Sequence, residues 1–324
     1  YPAHTFATTY TYNTLNQLKQ QRTPDGGASE FWYDALSRII LSQNAEQQLN
    51  NKYSYSFYDG LGRIVEAGQV AFPLGTTIET LVTNQTAFEQ EINGNGDKSE
   101  VTKTYYDESV ITSPLSGEHN ELRNRIAHVT YAKLPHTGNY DYATHYLYDI
   151  HGNVKSMVQD YQELAYIGQQ YKRIDYEYDL ISGNVNKVSY QEGEKDEFYH
   201  EYEYDADNRI IYAKTSNNGV DWEEDANYQY YDHGPLARVE TGAVNVQGTD
   251  YAYTIQGWLK GVNSNTLKRH RDMGKDGLNT GLNSKVAEDV FGFSLGYFHG
   301  DYKKVTENAY LSETNFLADI DNNT

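Results

Sequence analysis

Aromatic and polar residues alternate in short runs along this chain, and each run breaks at a turn before it starts again. In "YEYD" at 176–179 and again at 202–205, Tyr176 and Tyr178, or Tyr202 and Tyr204, stand two residues apart. Period two puts both rings on one face of a strand and sends the residue between, Glu177 or Glu203, to the other. An aspartate follows, suited to capping its own turn through backbone N–H groups two residues on. Gly62, Gly152, Gly183 and Asn208 then supply residues that tolerate positive φ. The chain resumes as Arg63-Ile64-Val65, Asn153-Val154, Asn184-Val185 or Arg209-Ile210-Ile211. Each segment is predicted to be strand, a turn of four to five residues, and strand, which is a β-hairpin.

The hairpin signal recurs. Tyrosines before the turn fall at 12, 33, 58, 148, 178, 204, 231 and 253, so neighbouring copies lie 21 to 30 residues apart, with one gap of 90. An apolar residue stands six after the tyrosine in many copies: Leu18, Ile39, Ile64, Val154, Ile210 and Leu259. The signature residues are Tyr33 and Asp34; Tyr58, Asp59, Gly62 and Arg63; Tyr148, Asp149 and Gly152; Tyr178, Asp179 and Gly183; Tyr204, Asp205 and Arg209; Tyr231 and Asp232; and Tyr253, Gly257 and Trp258. One hairpin is not stable alone in water. Successive copies are therefore expected to pair edge to edge into a long sheet that twists and coils.

The motif Tyr-Asp-x-x-Gly-Arg/Asn-hydrophobic at this spacing resembles the YD-repeat, or Rhs-repeat, family over roughly residues 8–260. "YTIQGWLKGVNS" (253–264), "DMGKDG" (272–277) and "DVFGFSLGYFHGDY" (289–302) look like the junction found in a Gram-negative branch of that family. The resemblance implies an all-β array of hairpins forming part of a hollow β-shell, or cocoon, in a very large exported or cell-surface protein. Some members enclose a C-terminal toxin and others are adhesins. The implied partners are the rest of the polypeptide, an enclosed C-terminal cargo, and secretion machinery or cell-surface molecules.

The organisation expected is repeats over 1–71, an insertion with degenerate repeats over 72–147, repeats over 148–260, and a post-repeat loop and strand segment over 261–324 that continues the shell. Within the insertion, 78–92 is predicted as a short helix and 93–100 as a polar loop, with worn copies around Tyr106 and after Leu122. The chain starts at Tyr1 rather than a methionine and is read as a piece of a longer polypeptide.

Composition narrows the function. The formal net charge of -20 repels phosphate backbones and anionic membranes, so no nucleic-acid role is expected. The chain has no cysteine, which excludes disulfides and thiolate chemistry, and no apolar run long enough for a transmembrane helix. Its 32 tyrosines suggest extended two-sided β-structure, with hydrated hydroxyls, rather than one large apolar core.

Candidate chemistry is sparse. A glycosidase needs one carboxylate pair across a substrate, whereas Asp34, Asp59, Asp149, Asp179 and Asp205 recur at every turn and read as caps. The triplet His270-Arg271-Asp272 matches part of a kinase catalytic loop, but Gly277 stands where an asparagine is required, so a solvated loop is expected. His136, His145 and His151 lack zinc spacing and read as surface or interstrand packing. Asp/Asn/Gly clusters at 93–97, 272–277 and 319–323 offer oxygen ligands of the kind Ca²⁺ takes, none in the twelve-residue EF-hand pattern. A structural Ca²⁺ is therefore a secondary expectation beside ordinary polar turns, and no cofactor is expected. Arg38, Arg63, Arg125 and Arg209 are expected to pair with the turn or neighbouring Asp/Glu from strand to strand, setting register more than adding stability. The reading that results is a non-catalytic scaffold, secreted or at the cell surface. Its alternative is an adhesin that binds glycans or proteins through tyrosine-rich faces.

Overall fold

The computed structural model describes residues 6–298, apart from 74, 109–114, 116, 119–120, 135–139, 265–268, 279 and 282. It is all-β and antiparallel, as the repeat pattern predicts. Two compact units divide it: the described residues up to Glu177 with Val188–Glu197, and Tyr178–Lys187 with the described residues from Phe198 onward.

In the first unit the strands are β1 (Thr9–Tyr12), β2 (Leu18–Thr23), β3 (Gly27–Tyr33), β4 (Ile39–Gln43), β5 (Lys52–Tyr58), β6 (Ile64–Ala71), β7 (Asp97–Tyr106), β8 (Ile126–Ala132), β9 (Tyr142–Tyr148), β10 (Val154–Tyr161) and β11 (Tyr171–Tyr178). Each pairs with the next in antiparallel register. The division between units falls before Tyr178, the last residue of β11, and again within β12 (Val185–Tyr190). In the second unit β13 (Phe198–Tyr204), β14 (Ile210–Ser216), β15 (Glu223–Tyr230), β16 (Leu236–Thr241), β17 (Gln247–Tyr253), β18 (Leu259–Val262) and β19 (Phe293–Ser294) follow the same rule.

The register explains the sixth-residue rule. Tyr33 pairs with Ile39, Tyr58 with Ile64, Tyr148 with Val154, Tyr204 with Ile210 and Tyr253 with Leu259, each just after a register shift. The apolar residue is thus the first rung of the returning strand.

The insertion differs from its sequence reading. Instead of one helix, 78–92 holds two, α2 (Ile78–Leu81) and α3 (Gln85–Gly94), with α1 (Ala45–Leu49) earlier in the chain. Asn84 interrupts the run because its side chain accepts from Ala87 N–H and starts α3 afresh. The segment 93–100 is not all loop: β7 begins at Asp97 and pairs with β6. Phe88 and Ile92, one helical turn apart, are buried with Ile78 against Leu41, Tyr55, Phe57 and Val70. The first unit therefore has a true apolar core, contrary to the two-sided expectation, and the insertion supplies part of it.

The two fragments read as separate worn copies are one hairpin. Tyr106 pairs with Ile126, Asp107 N–H donates to Arg125 O at 3.0 Å, and Asn124 takes φ 57°. The turn between Asp107 and Asn124 is expanded while its two ends keep the repeat geometry.

Candidate functional site

In the shortest copies the turn is built identically. Asp34 Oδ1 accepts from Leu36 and Arg38 N–H, Asp59 Oδ1 from Leu61 and Arg63, Asp149 Oδ1 from His151 and Asn153, and Asp205 Oδ1 from Asp207 and Arg209, all at 2.9 Å. Asp179 closes a turn one residue longer, accepting from Ile181 and Ser182 N–H. The positive-φ slot before the restart is filled by Gly62, Gly152, Gly183, Asn208 and Gly257. At Asp34, Asp59 and Asp149 desolvation works upward, but the hydrogen bonds outweigh it and hold the carboxyls below the usual range. At Asp179 and Asp205 the backbone N–H groups lead in the same downward direction.

The tyrosine and arginine join one repeat to the next. Tyr33 Oη donates to Leu18 O, Tyr58 to Ile39 O, Tyr204 to Val185 O and Tyr230 to Ile210 O, at 2.8–2.9 Å. These hydroxyls are therefore spent on the preceding hairpin's backbone rather than on water. Arg38, Arg63 and Arg209 each pair through Nε with their own turn aspartate at 2.6–2.7 Å. Each also lies over the following tyrosine, Tyr58, Tyr106 or Tyr230, 4.1–4.5 Å from the ring centre. Removing one hydroxyl, as in Tyr58→Phe, is expected to cost about 1 kcal/mol by leaving Ile39 O short of a donor. Urea denaturation of wild type and variant measures it.

One signature pair is out of register. Tyr231 and Asp232 read as a copy of Tyr-Asp, but Tyr230 takes the tyrosine place, pairing with Leu236. Tyr231 occupies the aspartate place, its N–H donating to Pro235 O at 2.9 Å. Its hydroxyl reaches forward to Tyr251 O. In the last copy Thr254 replaces the aspartate, its Oγ1 accepting from Trp258 N–H, and Trp258 replaces the arginine. Trp258 packs on Tyr297 at 5.1 Å, and Tyr297 Oη donates to Leu259 O at 2.8 Å. Tyr297 thus repeats the interlock beyond the copies recognised in the sequence.

Of the three histidines, His136 lies outside the described residues. His151 is on an exposed turn, 3.9 Å from Asp149. His145 is buried opposite His128 across β8 and β9, and His128 stacks on Tyr105 at 4.3 Å. Burial, then repulsion from His145, pushes His128 down to about 4. An unfolded histidine titrates near 6.5, so the unfolded chain takes up this proton first as pH falls. The stability held above that pH is expected to decline by about 2 kcal/mol between pH 6.5 and pH 5. Denaturation of wild type and His128→Phe across that range isolates the contribution, which the variant lacks.

A cluster that the sequence did not assemble lies in the second unit. Arg238 on β16 is buried and bonds Glu240 at 2.8 Å, Asp250 on β17 at 2.6 Å and Asp276 at 2.7 Å. Asp272 Oδ2 accepts from Asp276 N–H at 2.9 Å. Asp272, expected in a solvated loop, is 9% exposed because it folds back onto this hairpin. Burial works against the charge of Arg238, but the carboxylates outweigh it. Burial raises Asp250 and Asp276 despite Arg238, and burial with the closeness of Asp272 pushes Asp289 up to about 8. A Cβ on Gly274 would stand 2.0 Å from Arg238 Nη1, and one on Gly248 2.0 Å from Nη2. Both glycines are required by this close approach. Only the pairing of Gly with Asp in "DMGKDG" marked the place in the sequence; Arg238, Glu240, Asp250 and Asp289 gave no signal of their own.

A cleft of about 580 Å³ in the first unit is lined by Tyr131, Lys133, Leu134, Asp141, Tyr142, Tyr161, Gln162 and Glu163. Tyr131 and Tyr142 stack at 4.7 Å.

No family model and no curated protein matches the chain. Among solved structures it is similar to TcdB2-TccC3 without the hypervariable C-terminal region, at 13% identity and TM-score 0.53, over 79% of this chain and 11% of that one. In fold, the chain is of the Rhs/YD-repeat kind. A TcdB2-TccC3-TEV structure matches at 15% identity and TM-score 0.36, over 80% of this chain and 14% of that one. A Photorhabdus luminescens Tc holotoxin pore matches at 15% identity and TM-score 0.34, with the same coverage. The chain spans about one ninth of the length of the first of these structures. The hairpin array is what this chain and the first of these structures share at the level of fold. Among the described residues, no helix is long and apolar enough to cross a membrane.

Proposed function

We propose that this chain is a non-catalytic segment of shell wall in a large exported Rhs/YD-repeat protein, of the branch suggested by the 253–302 junction. The observation that carries the reading is the interlock, in which the hydroxyls of Tyr33, Tyr58, Tyr204 and Tyr230 each bond the backbone of the preceding repeat. Such bonds stiffen a wall without reserving any side chain for a substrate. The turn aspartates support a structural role, since their carboxyls sit low and a glycosidic general acid needs one held high. The Tyr297 bond supports continuation of the wall through the junction. The wall would shield a C-terminal toxin or effector from solvent and proteases, in a protein that is secreted or displayed at the cell surface. Limited proteolysis with mass spectrometry on the full-length parent tests this. A protected, separately cleaved C-terminal polypeptide is the expected result; one resistant chain with no released segment counts against encapsulation.

The cleft at Tyr131, Tyr142 and Tyr161 favours a second reading, a glycan-binding adhesin, because stacked aromatic faces with adjoining Asp141 and Glu163 suit sugar rings and their hydroxyls. A glycan-array signal lost in Tyr142→Ala would support it, and silence across the array would remove it.

A further inference from the structure

The carboxylate cluster around Arg238 has more negative charge than its guanidinium neutralises. Glu240, Asp250 and Asp276 bond the guanidinium directly, and Asp272 and Asp289 crowd behind them. Arg238 takes one oxygen each from Asp250 and Asp276, through Nη1 and Nη2. The other oxygen of Asp276, Oδ2, is buried and has no hydrogen-bond partner, on a residue only 1% exposed. Asp272 shows the same division: Oδ2 takes the backbone N–H of Asp276, and the buried Oδ1 is left over. One ligand oxygen from each of Asp250, Asp272 and Asp276 lies within 4.8 Å of the others. An unpartnered carboxylate oxygen out of water is costly, and a cation is the partner that satisfies several at once.

We propose that Asp250, Asp272 and Asp276 bind a hard divalent cation, Ca²⁺ in the first place, with Arg238 as the positioning residue that holds Asp250 and Asp276 beside each other. The donors are all carboxylate oxygens, which suit hard ions and not zinc or copper. Oxygens spread over this distance within a buried pocket suit Ca²⁺, with bonds of about 2.3–2.6 Å and flexible geometry. Mg²⁺ demands a tighter octahedron and gives up its waters reluctantly.

The site joins two pieces of chain that the hairpin repeat does not join. Asp250 is on β17, whereas Asp272 and Asp276 belong to an irregular segment. That segment is tied back by the Gln247–Ala287 bridge and by the Asn263 side chain, which donates to Phe291 O. A bound ion would fasten it to the last full repeats, just before the strand that carries the array on to Tyr297. The proposal stands independently of the shell reading.

The test uses the purified chain stripped with EDTA and titrated with CaCl₂, then MgCl₂, by calorimetry and thermal denaturation. The expected result is a binding heat and a Tm raised by about 5 °C at a hundredfold excess over Kd. Asp272→Asn should weaken Kd at least about tenfold, while Asp232→Asn, on a repeat turn away from the cluster, should leave it unchanged. Hydrogen exchange of wild type with and without Ca²⁺ gives a readout that needs no variant, with protection expected in 269–289. Absence of heat and of any Tm shift at millimolar ion would overturn the proposal. So would an Asp272→Asn response equal to wild type, or protection gained only elsewhere.

Discussion

Arg238→Met is expected to destabilise the second unit by about 3–5 kcal/mol, the cost of leaving buried charge without its partner. Methionine fills much of the same volume, so the loss measures charge rather than a cavity. Glu240, Asp250 and Asp276 all bond this guanidinium. The deficit should depend on pH. Asp250 and Asp276 already sit above the usual carboxylate range because of burial, and Asp289 is pushed up to about 8. A carboxyl raised in the folded state binds its proton before the unfolded chain does. Lowering the pH from 8 toward 4 therefore relieves the cluster, and the variant should recover part of its loss over that interval. Urea denaturation followed through Trp222 and Trp258, both in this unit, reads it. A loss below about 1 kcal/mol at pH 8 would mean that the carboxylates are neutralised without Arg238. The comparison is Arg209→Met, whose side chain also pairs with an aspartate but is 29% exposed, where only a small fraction of that loss is expected.

What the sequence made legible follows from range. Turn chemistry is local, so Asp34, Asp59, Asp149, Asp179 and Asp205 could be read as caps and the structure finds them accepting the N–H groups of their own turns. The rule of six is also local, and it was the better guide where letters misled. In "YQYYDHG" the Tyr-Asp pair at 231–232 attracts the eye, yet Leu236 stands six after Tyr230 and Gly234 four after it, and the fold obeys the distances. The same rule fails at Tyr106 because its turn is expanded, so only the pairing with Ile126 reveals the hairpin. The tyrosine hydroxyls lay beyond reach for a different reason. Their acceptors are carbonyls some 15 to 20 residues back, and a backbone oxygen has no letter in the sequence. The carboxylate cluster joins Arg238 to Asp276 across 38 residues, with no periodicity to announce it.

Phe88→Ala tests whether the stretch at 72–105 is an insertion that the fold tolerates or a part that it needs. A loop inserted between two paired strands adds little beyond closure entropy, which grows slowly with length. On that view the substitution would change stability by no more than a surface change does, about 0.5 kcal/mol. The structure argues otherwise. Phe88 is 1% exposed and meets Phe57 edge to face at 6.1 Å, and Ile92 below it is fully buried against the same sheet face. Gly96 lets the chain leave α3 close to that face, since a Cβ there would stand 2.6 Å from Val70 Cγ2. Without α3, the Tyr55, Phe57 and Val70 side of β5 and β6 would face water. Phe88→Ala is therefore expected to cost about 3–5 kcal/mol through lost burial and a cavity. Phe88→Leu, which keeps most of the volume, should cost under about 1.5 kcal/mol. Trp32, packed against this cluster, reports the transition in its own unit. The ratio of the two losses carries the argument: a large alanine penalty with a small leucine one is the signature of a packed core, and equal small losses would make 72–105 a decoration on the repeat array.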